Sequence, residues 1–166
     1  MDEDAQLREV YAHLGLAVWH AQGLEQGIIH ALIFCELLPK AHESKSEMSG
    51  DSFVAILDEY PRKTFGKLLK ALKRTDEAIG QDLESKLAKS LEVRDWLVHH
   101  FVKNRCVHIL STTGRDQMIS ELINADKLFT ETDNELETWL KPIRLRYGFT
   151  DEVLQTAYKQ YMTAVG

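Results

Sequence analysis

Apolar residues return every three or four positions across residues 4–38: Leu7, Val10, Leu14, Ala17, Ala21, Leu24, Ile28, Ala31 and Cys35. That spacing predicts one long amphipathic helix. A neighbouring row, Tyr11, Val18, Ile29 and Leu32, widens the stripe beyond a single contact face, as packing inside a bundle requires. Gly15, Gly23 and Gly27 interrupt it. Each costs about 1 kcal/mol against Ala in a helix interior, a cost a bundle tolerates where another backbone comes close. Pro39 stops the helix, and residues 40–50 form a polar loop.

Asp51 or Ser52 can cap a short second helix reaching residue 59. Pro61 suits a new first turn, and residues 64–74 read as a third helix. A fourth begins at Gly80 or Gln81 and runs to about residue 110, with Leu83, Leu87, Leu91, Val98 and Phe101 on one side. Ser111-Thr112-Thr113-Gly114 is turn and cap chemistry. A fifth helix spans roughly residues 115–147, with Ile119, Leu122, Leu136 and Ile143 apolar and Pro142 expected to kink or end it. Gly148 is a C-cap, and Thr150-Asp151-Glu152 opens a last short helix to about residue 162. No alternating strand pattern, internal repeat or low-complexity tract interrupts this order. The expectation is an all-α fold: residues 1–166 as one domain, an up-and-down bundle of three long helices plus shorter ones.

Composition agrees. The 22 Leu stand against 9 Val and 9 Ile, and Gly and Pro together number 12, which favours helix over sheet. Two cysteines, Cys35 and Cys106, cannot build a disulfide framework or a four-cysteine zinc site. The longest apolar stretch is far too short to span a bilayer. The acidic opening argues against a secretory or mitochondrial leader, so a cytoplasmic protein without membrane attachment is expected.

Candidate chemistry is concentrated in Leu91-Glu92-Val93-Arg94-Asp95-Trp96-Leu97-Val98-His99-His100-Phe101. The apolar stripe steps from Leu87 and Leu91 to Val98 and Phe101, and Arg94 falls between them. A guanidinium on a packing face needs a partner. The plain alternative is a structural salt bridge; Glu25, at the edge of the first helix's apolar face, is a candidate partner, although an exposed flank is the favoured reading of that residue. Asp95 and His99 are four apart and can hydrogen-bond, which would fix the imidazole tautomer. Arg94 and His99 are five apart and point about 140° from each other on an ideal helix. One helix therefore cannot close both on one substrate atom, whereas two packed copies could. Val93, Trp96 and His100 form a second semi-apolar row that such a homodimer could bury.

The run Arg94-Asp95-Trp96-Leu97-Val98-His99, followed by His100-Phe101, resembles the HEPN superfamily, whose members typically show Arg-Asn-x-Leu-x-His and then an aromatic. This chain has Asp95 where Asn is commoner, and His100 satisfies a looser spacing. The resemblance implies a HEPN-like helical domain that cleaves RNA without metal across a homodimer cleft, in the manner of toxin or defence ribonucleases. Arg94 would then bind the scissile phosphate, His99 would act as general base or acid, with His100 as its alternative, and Asp95 would orient the imidazole. The resemblance also implies a partner protein, an antitoxin or a nucleotidyltransferase. Other members lack activity, so a non-catalytic dimerisation or partner-binding module stands as the alternative.

The side chains suit the chemistry. Imidazole titrates where a ribose hydroxyl needs a base, a forked guanidinium can hold a phosphorane, and dependence on the 2′-OH restricts the substrate to RNA. The net charge of −6 disfavours nonspecific duplex binding. Its distribution is uneven: residues 1–59 carry 3 basic against 11 acidic groups, while residues 60–74 carry six basic groups and no acid. Lys63, Lys67, Lys70 and Arg74, at steps of four, three and four, would line one helix stripe able to follow the backbone of single-stranded or loop RNA, with Lys103 and Arg105 as further candidates. A solvated helix face explains the same stripe without a ligand. Seven histidines invite a metal reading, but no Glu-x-x-His tetrad, His-Glu-x-x-His run or phosphate-cradling loop occurs, so neither metal nor cofactor is expected.

Overall fold

The computed structural model describes residues 3–39 and 63–165. The expected polar loop at 40–50 and short helix at 51–59 lie outside the described residues. Helix α1, Glu3–Leu32, continues into a π-helical turn, Ile33–Leu37, closed by Leu38 N–H donating to the Ile33 carbonyl. Then come α2, Phe65–Leu72; α3, Gln81–His99; α4, Phe101–Arg105; a 3₁₀ turn, His108–Leu110; α5, Thr112–Arg146; and α6, Asp151–Val165. Among the described residues there is no strand. The chain is an all-α helical bundle.

Helices α1 and α5 form the principal pair. Gln6 bonds to Asp116, His20 to Asp126, and Gly27 lies against Asp133 and Leu136, so the two helices run parallel. Helix α3 runs opposite to α5: Lys86 pairs with Glu135, Ser90 Oγ donates to Thr132 Oγ1 at 3.2 Å, and Arg105 beyond its end meets Glu121. The core lies between them, with Val10, Ala17, Leu24 and Ile28 of α1, Leu87 and Leu97 of α3, and Leu122, Phe129 and Leu136 of α5 all buried. Helix α2 closes one side with Phe65, Leu68, Leu69 and Leu72.

Local chemistry accounts for the boundaries. Ser111 caps α5, its Oγ accepting from Gly114 N–H at 3.1 Å. A Cβ at position 114 would come within 2.1 Å of the His108 carbonyl oxygen, so only glycine admits the 3₁₀ turn there. The helix continues past Pro142 to Arg146 instead of ending at the proline. Gly148, at φ 78°, makes the turn into α6. Buried Arg144 secures that corner, donating to Glu137 at 2.9 Å, Asp151 at 2.6 Å and the Phe149 carbonyl at 2.9 Å.

One predicted element divides. The helix expected to reach residue 110 ends at His99, and His100 leaves helical geometry at φ −128°, ψ −22°. The break has a packing reason. Trp96 and Phe101 are five residues apart and would diverge on an unbroken helix. The turn at His100 lets their rings meet edge to face with centroids 5.1 Å apart, Phe101 fully buried.

Candidate functional site

The last turns of α3 carry the motif. Arg94 is half-buried and reaches two carboxylates: its Nη1 donates to Asp95 Oδ1 at 3.1 Å, and its Nη2 lies 3.9 Å from Glu25 Oε2 on α1. Glu25 is therefore not an exposed flank residue; its side chain is 19% exposed beside the guanidinium. The second distance is an ion-pair contact rather than a short hydrogen bond, so the guanidinium is positioned without being fully engaged.

Asp95 departs from its expected role. Its carboxylate turns to Arg94 and not to His99. A charge-assisted bond to a guanidinium outcompetes one to an imidazole on the same helix face. His99, the last residue of α3, stays exposed, and so does His100; their rings stand edge to face with centroids 6.3 Å apart. The helix break thus presents two adjacent imidazoles to solvent about one turn beyond the guanidinium.

Val93 and Trp96 are half-buried, resting partly against the chain's own core, and His100 is exposed. The exposed apolar residues near the motif are instead Val98, at 51% exposure, and Val102, at 68%, with Val107 and Leu110 following. The sequence stripe placed Val98 on the packing face with Leu91 and Phe101; in the structure Val98 is exposed while Phe101 is buried.

The basic candidates fall into separate groups. Helix α2 is shorter than the predicted stripe: Lys67 and Lys70 lie on it, while Lys63 precedes it and Arg74 follows it. Lys67, Lys70 and Arg74 are exposed. Lys103 on α4 is exposed as well, but Arg105 is committed. Its Nε and Nη2 each donate to Glu121 at 2.7 Å, and its guanidinium lies 5.9 Å from the Trp96 ring centroid. The pairing holds the Glu121 carboxyl below its ordinary range. The signal for that pair was a Glu far along the next helix, which no local spacing connects to Arg105.

Sequence reasoning also missed a row of titratable groups along the α1–α5 seam. His20 Nδ1 bonds to Asp126. Farther along, the Asp133 carboxyl lies over Gly27, pushed above its ordinary range by burial and by Glu137, with His30 and His20 opposing. Cys35 is buried, and its thiol is pushed up to about 12, mainly by that burial, which keeps it protonated and unreactive at neutral pH.

Comparison with known proteins finds no family model, no curated relative and no solved structure that matches this chain.

Proposed function

We propose that the chain is a metal-independent RNA endonuclease of toxin or defence type whose active site is completed by a second copy. The observation that carries this reading is the pair of exposed imidazoles, His99 and His100, set at a helix break beyond a half-buried and incompletely engaged guanidinium, Arg94. Arg94 would hold the scissile phosphate and its developing charge. His99 would take the proton from the ribose 2′-OH, whose oxygen attacks phosphorus, or would return a proton to the departing 5′ oxygen. The O2′–P bond forms as the P–O5′ bond breaks, leaving a 2′,3′-cyclic phosphate and a 5′-hydroxyl. Asp95 acts on Arg94, helping Glu25 hold the guanidinium. Exposed Val98 and Val102 beside the motif supply apolar surface for the second copy, whose His99 would face this copy's Arg94. Exposed Lys67, Lys70, Arg74 and Lys103 would draw in a single strand.

The Arg94–Glu25 contact favours a second reading, in which the same residues organise a non-catalytic dimerisation or partner-binding module. Incubating the purified chain with RNA in excess chelator separates the two. Cleavage to cyclic phosphate ends, abolished in Arg94→Ala and His99→Ala with helicity and dimer mass retained, supports the endonuclease. Intact RNA with the dimeric wild-type chain supports the module, and a strict monomer overturns the shared site.

A further inference from the structure

The geometry points to a nucleobase-binding cleft on the side of α3 that faces α5. A cavity of about 450 Å³ opens between α3, α4 and α5, lined by Val93, Trp96, Arg105, Glu121, Asn124 and Leu128. Its chemistry selects the occupant. Trp96 and Arg105 bring an aromatic ring and a planar guanidinium, already in contact with each other, and both groups pair with flat π systems. Glu121 cancels the Arg105 charge through the two 2.7 Å bonds, so the cleft has little to offer a phosphate. The same two bonds fix the guanidinium in place. Val93 and Leu128 give an apolar floor, and exposed Asn124 presents an amide with both donor and acceptor at the rim. A flat, uncharged ring with a hydrogen-bonding edge satisfies all of these groups at once.

Val93 and Trp96 lie about 100° and 160° from Arg94 around the helix, so the cleft faces α5 while Arg94 faces Glu25 of α1. A base in the cleft is therefore held apart from Arg94, as a separate contact to the strand. Under the endonuclease reading, on which this part of the inference rests, the cleft would select a nucleotide of the bound strand away from the scissile bond, with Asn124 reading its edge.

The test uses the full chain and probes that cannot be cleaved: 2′-O-methyl oligomers of A, G, C or U, with the four nucleoside monophosphates in parallel. Tryptophan fluorescence and calorimetry read binding. Saturable binding that ranks the four bases is expected, about tenfold weaker in Trp96→Leu and with an altered ranking in Asn124→Ala. Asn124 is exposed, so that variant tests the cleft even if Trp96→Leu fails to fold. Monophosphates ranking as the oligomers do would identify the base itself as the ligand; oligomers alone binding would make it a strand-borne base. Equal binding of all four bases, or a ranking untouched by Asn124→Ala, overturns the cleft. Ranked binding without any RNA cleavage removes the endonuclease and leaves the cleft standing. Cleavage whose site preference survives both substitutions does the reverse.

Discussion

The Asp133 carboxylate of α5 lies over Gly27 of α1, so close that a Cβ at position 27 would stand 2.6 Å from its Oδ1 and 3.3 Å from Leu136 Cδ2. Gly15 and Gly23 have nothing within 4 Å of the same point. The three glycines therefore answer differently to alanine. Gly15→Ala and Gly23→Ala are expected to stabilise the chain by up to about 1 kcal/mol each, the helix-propensity gain. Gly27→Ala is expected to lose about 1 kcal/mol through overpacking. Adding Asp133→Ala should recover part of that loss. Urea midpoints followed by circular dichroism measure all four.

The same carboxyl makes stability depend on pH. Asp133 is pushed above its ordinary range, chiefly by burial. As pH rises through the window between its unfolded and folded values, the unfolded chain releases this proton first, so folding loses stability across that window and stays lower above it. Asp133→Asn is expected to raise the midpoint above the window and leave it nearly unchanged below. Urea titrations across acid and neutral pH would show it; a midpoint gain independent of pH would contradict it.

Asp151 has the opposite sign. Lys141 and Arg144 bond to it and hold its carboxyl at about 2. Its contribution is present above the ordinary carboxylate range and fades as pH falls toward 2. Asp151→Asn should loosen the junction of α5 and α6 at neutral pH, seen as faster amide exchange in α6, with the difference vanishing at the acid limit.

Gly114→Ala places a methyl against the His108 carbonyl, a backbone atom that cannot rotate away. The loss should be about 3 kcal/mol, among the larger single-residue effects. Gly80→Ala, which meets nothing within 4 Å but replaces a helix N-cap, should lose no more than about 1 kcal/mol.

The Arg94–Glu25 contact can be weighed by a double-mutant cycle. At 3.9 Å, with side chains 27% and 19% exposed, the coupling should stay at or below about 1 kcal/mol. A coupling of several kcal/mol would mark Arg94 as a structural keystone and weaken its assignment to a phosphate.

Much of the bundle was legible because its signals are local. The α1 stripe gave the buried row Val10, Ala17, Ala21, Leu24 and Ile28, and Gly148 marked the end of α5. The break at His100 was not legible, since neither Gly nor Pro stands there and the cause is a tertiary ring contact between Trp96 and Phe101. The same limit applies to the site. Helical spacing could pair Asp95 with His99, but which cation wins the carboxylate depends on rotamers that spacing does not encode. Glu25 and Glu121 became partners of Arg94 and Arg105 only through the packing of separate helices.

The parallel pairing of α1 with α5 has a consequence for synthesis. Gln6 meets Asp116 and His20 meets Asp126, partners separated by 110 and 106 residues. Helix α1 must wait for α5 before the greater part of its apolar stripe is covered, and closing so long a loop is slow. Until then the nascent chain carries that stripe only partly covered by α2 and α3, the condition in which chaperones bind and aggregation begins.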